Sequence, residues 1–177
     1  MMPAGLLEVL SDQDKHDLLS FLSKLGEPGP FDAARNNVAR RWKLRAGRHT
    51  DEQFGIERII GDTSGSAWNP ADTLVDGRLL QPIMAQALRL RNINQVTSLI
   101  GLMATASFET TGGRVTLNIN ANDDTRLWID GREFEYKSEL STSLPAGKHT
   151  MVLQLNPGNL PSFLRSEIEG ATFVADE

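Results

Sequence analysis

Asn120, Asn122, Asp123 and Asp124 crowd oxygen-bearing side chains into residues 120–124. Carboxylate and amide oxygens are the hard ligands that Ca²⁺ prefers, which makes Asp123 and Asp124 candidate calcium ligands. Calcium takes about six or more oxygens, and the stretch offers four side chains locally. An Asn/Asp-rich stretch also builds an ordinary loop through side-chain-to-backbone hydrogen bonds, and the sequence leaves both roles open. Downstream, Trp128 offers an apolar ring with a polar edge, suited to stacking on a sugar, as does Trp68. Core packing is the other role for either ring. Asn122, Asp124 and Trp128 are thus the candidate ligand-binding residues.

Other chemistry is thinner. His16, His49 and His149 lie far apart and form no His-x-x-x-His pair, which argues against zinc. There is no Ser nucleophile elbow, Gly-rich phosphate loop or Walker-type lysine. No pair of carboxylates is singled out for acid–base work, and no catalytic residue is assigned. The chain has no cysteine, which excludes disulfides, thiolate metal sites and covalent c-type haem within it. Arg35, Arg40, Arg41, Lys43, Arg45 and Arg48 form the strongest charge cluster. Such a run is either a solvated strand face or a docking surface for an acidic partner, such as a neighbouring domain.

The 177 residues, 40% of them hydrophobic, suffice for one core of ordinary size plus an appendage. A net charge of −5 and a pI near 5.2 supply no general field for nucleic acid. No apolar run approaches the ~20 residues of a membrane span.

The elements that must position these groups read mostly as strands. Val115, Leu117 and Ile119 alternate with Thr116, Asn118 and Asn120, the period-2 pattern of a half-buried strand. Leu127 and Ile129 continue it, so Trp128 between them faces the opposite side of the sheet. Asp130-Gly131 and Pro145-Ala-Gly147 are turn sequences, and Met151, Leu153 and Leu155 resume the alternation. Residues 99–108 (LIGLMATASF) are apolar enough for a central strand, and residues 37–45 read as a first strand with a basic outer face. Residues 51–60 suggest a short helix, residues 83–90 a further apolar run, and residues 163–174 an edge strand or two. Asp-Gly-Arg recurs at Asp76 and Asp130, read as two similar turns.

Ahead of these strands, Ser11 reads as a helix N-cap with Asp12 and Asp14 in the first turn. Leu18, Leu19, Leu22 and Leu25 follow helical spacing, and Gly26 is the expected stop. Residues 26–37 form a Pro/Gly linker. An amphipathic helix with this apolar face needs cover, from its own sandwich or from the same helix of a second molecule in a homodimer.

Two resemblances add to this reading. The order Asp123-Asp124, Leu127-Trp128, Asp130-Gly131 and residues 144–150 (LPAGKHT) resembles the protective-antigen-type β-sandwich, an extracytoplasmic module often attached to glycan-active proteins. The resemblance implies that an adjacent Asp pair coordinates Ca²⁺, which in turn holds sugar hydroxyls. Separately, MPAGLLEVLSDQDKHDLLSFLSKL is similar to the end of a planctomycete-type haem-binding, cytochrome c-like domain. In that family the Met of Met-Pro is the distal iron ligand, and Met2 occupies the matching position. The Cys-x-x-Cys-His that would anchor haem is missing here, so the resemblance implies a haem-containing parent rather than a haem in this chain.

The sequence thus predicts an antiparallel β-sandwich of jelly-roll or protective-antigen-like type, with one N-terminal amphipathic helix. Residues 1–25 form the helix, 26–37 the linker and 38–177 the sandwich. The expected function is a non-catalytic, carbohydrate-binding accessory module of a periplasmic haem-containing protein; the alternative is a docking module with no small-molecule ligand. No signal peptide is visible, which is compatible with a piece of a longer precursor.

Overall fold

The computed structural model describes residues 11–23, 37–48, 56–61, 63, 65–89 and 99–174. Met2, residues 26–36, residues 51–55 and His49 lie outside the described residues, and with them the axial-ligand position and most of the linker. The chain divides into two compact units, Met1–Arg35 and Asn36–Glu177.

In the first unit, helix α1 spans Asp12–Ser23. Ser11 caps it: its Oγ accepts from the Asp14 N–H at 3.1 Å, while the Ser11 N–H donates to Asp14 Oδ2 at 3.2 Å. This reciprocal pair satisfies donors that the first turn otherwise leaves unpaired. Lys15 and Asp12 add an ion pair at 3.1 Å.

The second unit is a two-sheet antiparallel sandwich. The larger sheet contains β1 (Arg41–Arg48), β2 (Asn69–Asp72), β4 (Leu99–Thr110), β6 (Arg126–Ile129), β7 (Arg132–Phe134) and β9 (Gly147–Leu155). Their order is β2-β1-β4-β9-β6-β7, and β11 (Thr172–Val174) joins β4 beyond the end of β1. The smaller sheet runs β3-β10-β5-β8, built from Leu79–Leu80, Phe163–Glu169, Gly113–Asn120 and Glu139–Leu144. Two short helices complete the described part, α2 (Ile56–Gly61) and α3 (Gln81–Arg89).

Alternation along the strands builds the core. Val115, Leu117 and Ile119 of β5 face Leu102, Ala104, Ala106 and Phe108 of β4 and Met151, Leu153 and Leu155 of β9 in one buried cluster. The apolar run read at residues 83–90, which the sequence assigned to no element, falls on α3 as far as Arg89. Met84 and Ala87, three apart on one helical face, enter the same cluster, which a pleated strand could not arrange. Of the edge strands expected in the tail, β11 pairs with β4 alone, whereas β10 departs. β10 is interior, hydrogen-bonded to β5 on one side and β3 on the other, because Leu164 and Ile168 need burial from both neighbours.

Two stretches cross between the sheets. Ahead of β1, Val38 bridges Glu167 of β10, and the Ala39 N–H donates to Ser166 O at 3.0 Å before the chain enters the larger sheet. β10 passes through Gly170 into β11 in the opposite sense. Gly170 has φ +76°, and a Cβ there would collide with the carbonyl oxygen of Arg114. We expect Gly170→Ala to lower stability by about 1–3 kcal/mol in a denaturant melt, from left-handed strain together with that clash.

Candidate functional site

The β5–β6 loop and the β9–β10 loop meet at one end of the sandwich. Asn122 ends β5's run into a turn, in which Thr125 N–H donates to Asn122 O at 3.0 Å. Asn156 opens an Asn-Pro-Gly-Asn turn that closes when Asn159 N–H reaches Asn156 O at 3.1 Å. The side chains then bridge the loops. Asp124 Oδ2 accepts from Asn156 Nδ2 at 2.8 Å and from Asn159 Nδ2 at 3.4 Å. Asn122 Nδ2 donates to the Asn159 carbonyl at 2.6 Å. Asp123 and Asp124 are exposed and Asn122 half-buried, so the cluster lies open at the surface.

Tyr136 anchors the base of this cluster. Its hydroxyl accepts from the Ala121 N–H at 3.1 Å and shares its own proton between the carbonyls of Ile119, at 3.1 Å, and Ala121, at 3.0 Å. Burial raises the phenol pKa above its usual value; the Ala121 hydrogen bond opposes this and the nearby Asp123 charge reinforces it. The ring therefore stays a neutral clamp over the physiological range.

The Asp pair fits a calcium shell poorly. Asp124 directs Oδ2 at amide N–H donors, which repel a cation from that oxygen, and Asn156 Oδ1 is taken by the Gly158 N–H at 2.9 Å. Among the described residues no group of three or more His, Cys, Asp or Glu is placed to hold a metal.

Trp128 does not stand beside these loops as a platform. It is 3% exposed, on the outer face of the larger sheet, in a second apolar cluster with Trp68, Met103, Val152 and Ile59 and Ile60 of α2. Arg126, two residues earlier on the same face, holds its guanidinium 4.8 Å from the Trp128 ring centroid. Glu133 fixes that guanidinium in a two-point ion pair at 2.8 and 3.1 Å. The Arg126 hydrogen bond in turn holds the Glu133 carboxyl below its usual range. Stacking a sugar on Trp128 would require displacing both the helix and the arginine. Trp68, 6% exposed, is enclosed in the same way.

No protein-family model matches the chain. No curated protein matches it. Among solved structures, it is similar to a family two carbohydrate esterase from Clostridium thermocellum in complex with cellohexaose. The identity is 18%, the TM-score 0.24, and the match covers 44% of this chain and 27% of the esterase chain.

Sequence reasoning found Asn122, Asp123 and Asp124 but missed Asn156, Asn159 and Tyr136. Asn-Pro-Gly-Asn at residues 156–159 is itself a turn signal and would have located the second loop; nothing local marks Tyr136.

A second polar constellation joins the two turns that were read from sequence. Asp130 sits at φ 51° and Gly131 at φ 78°, both left-handed, as a tight two-residue hairpin turn demands. Asp130 Oδ1 accepts from the Thr150 N–H at 2.9 Å, and its Oδ2 lies 2.6 Å from His149 Nδ1. The other ring nitrogen of His149 lies 3.0 Å from the Pro145 carbonyl. Both nitrogens thus face acceptors, and the ring donates to both only as the imidazolium. Burial opposes that charge, with the ring 4% exposed against Phe108, but the Asp130 hydrogen bond, the Pro145 carbonyl and the Asp130 charge together raise the pKa above its ordinary value. A raised folded-state pKa contributes stability that is complete below the unfolded value of about 6.5 and lost as pH rises through the folded one. We expect the melting temperature to fall on the alkaline side of pH ~6.5. Asp130→Asn, which tolerates the left-handed backbone, should flatten that slope; an unchanged slope would remove His149 as its source.

Proposed function

We propose that this chain is a non-catalytic accessory module that binds carbohydrate at the Asn122–Asp124 and Asn156–Asn159 loops, within an extracytoplasmic, haem-containing parent protein. The convergence of the two loops carries the reading. A rigid sandwich end presents carboxylate acceptors and amide donors side by side in the open, the groups that exchange hydrogen bonds with sugar hydroxyls. Asn122 and Asp124 are positioned by partners from the second loop, so the cluster is preorganised and does not order on binding. The haem-containing parent is supported by the resemblance of the N-terminal segment and the match of Met2 to an axial-ligand position.

The second reading, a structural module that docks neighbouring domains, is favoured by the enclosure of Trp128 and Trp68. Without Trp128 or Trp68 as a platform, affinity must come mainly from hydrogen bonds, and these contribute only about 0.5–1.5 kcal/mol each net of water.

A glycan array probed with the whole chain separates the two. Binding should be weak and should fall about tenfold in Asn156→Ala, which removes its hydrogen bond to Asp124, and in Asp124→Asn, which disturbs those from both Asn156 and Asn159, a loss of roughly 1.4 kcal/mol. Chelator should leave both binding and melting temperature unchanged. A chelator-sensitive melt would restore calcium to the Asp pair, and a blank array would favour docking.

A further inference from the structure

Among the described residues, the strands that end each sheet are blunted, with one exception. β3, β7 and β11 are two or three residues long. β2, of four residues, carries Pro70, which has no N–H to offer. Short strands and edge prolines are ordinary means by which a sheet avoids recruiting further strands. β8 ends the smaller sheet and uses neither. It runs for six residues, ELSTSL, in unbroken register with β5, without proline, lysine or bulge.

The outward groups of β8 follow from its pairing. Just before the strand begins, the Ile119 N–H donates to the Ser138 carbonyl at 2.8 Å, which makes that pair a hydrogen-bonded one. Such pairs alternate along an antiparallel ladder. Leu140, Thr142 and Leu144 therefore bond to β5, and Glu139, Ser141 and Ser143 direct their N–H and C=O groups to the open side. No strand pairs with that side among the described residues.

The side chains of this edge complement a second copy of themselves. In an antiparallel pair centred on Ser141, Ser141 meets its own copy and Glu139 meets Ser143. That register engages all three outward residues and sets no glutamate against another. Arg114 of β5 stands opposite Ser143, both exposed on the outer face, while Val115 beside it is buried in the core. Across the two-fold axis the row then reads Arg114, Ser143 and Glu139 of the second copy. Arg114 and that glutamate lie two strand spacings apart, roughly 10 Å between Cα atoms, and the small Ser143 lets them meet above it. Within one chain the Arg114 and Glu139 side chains make no ion pair or hydrogen bond among the described residues. Two opposite charges left unmatched in the single chain are matched in the pair, which fixes its register.

We propose that two copies of this chain pair through β8, joining their four-stranded sheets into one continuous antiparallel sheet with Ser141 at the two-fold axis. The pairing does not depend on the carbohydrate reading, and it uses a surface other than the apolar face of α1.

Sedimentation velocity of the whole chain over a concentration series tests this. We expect a monomer–dimer equilibrium with a Kd of roughly 10–100 µM, in keeping with a small interface. Ser141→Pro deletes an outward N–H and no bond to β5, and should weaken association about tenfold. Arg114→Glu and Glu139→Arg should each do the same, since each sets like charges together at two places in the dimer, and the double swap should restore association. Hydrogen exchange reads the same contact by position. The amides of Glu139, Ser141 and Ser143 should exchange fast in dilute protein and several-fold more slowly when the dimer dominates, with those of Leu140 and Thr142 protected throughout. A chain that stays monomeric to about 500 µM overturns the proposal, as do outward amides that are protected at every concentration. A dimer that resists both charge reversals and dissociates on Leu19→Ser also overturns it, because Leu19 is 65% exposed on α1 and that dimer would be built there. Should Ser141→Pro fail to fold, the charge swap and the alternating amides still decide.

Discussion

The sandwich is organised around the backbone of β4. A strand buried on both faces has no water to satisfy its amides, so each of its peptide groups must find a partner in a neighbouring strand. β4 meets this with β9 along one edge, from Leu102↔Leu155 to Thr110↔Gly147, and with β1 and β11 in succession along the other. Burial on two faces also dictates its composition. Leu102, Ala104 and Phe108 fill the space between the sheets, while Met103 meets Trp68, Trp128 and α2 on the outside. Among the described residues, pairing along that second edge lapses at Ala106, between β1 and β11, and at Ile100, where the register shifts between Gly47 and Arg48.

Polar interactions elsewhere join segments that the ladders leave independent. Tyr136 ties the segment between β7 and β8 to the end of β5, and His149 ties the β6–β7 turn to the β8–β9 turn. Asp124, Asn156 and Asn159 tie two loops that share no strand pairing. Each junction uses a side chain that is buried or multiply bonded, so each fixes a geometry rather than adding a general attraction.

The sandwich was legible because its evidence is local. Alternation in residues 114–120 and 151–155, the Asp130-Gly131 turn and the apolar run at residues 99–108 each report on a few neighbouring positions, and all four emerge as read. Asp-Gly-Arg proves to mark two left-handed glycine turns, with Gly77 at φ 84° and Gly131 at φ 78°. What stayed open or was missed depended on distant partners. Whether residues 83–90 coil into a helix, and whether β10 is interior, is settled by which surfaces need cover. Trp128 shows the limit most plainly: parity set it opposite Leu127 and Ile129 and left open which face was covered, and its core-packing role rests on α2 and the guanidinium of Arg126, which make that face a second core. In the same way, His149 looked isolated because its carboxylate partner lies nineteen residues away, across a hairpin that sequence could propose but not pair.

The two crossing segments also govern how the molecule comes apart. Residues 37–48 and 163–174 each hydrogen-bond within one sheet and then within the other, so neither sheet owns all of its strands. In a sandwich held only by side-chain contact, one layer could loosen while the other kept its amide protons. Here, peeling the smaller sheet pulls on the strands that edge β4, and freeing the β4 edge unthreads β10. The two layers therefore make a single cooperative unit, and slow amide exchange at its centre reports the opening of both sheets together.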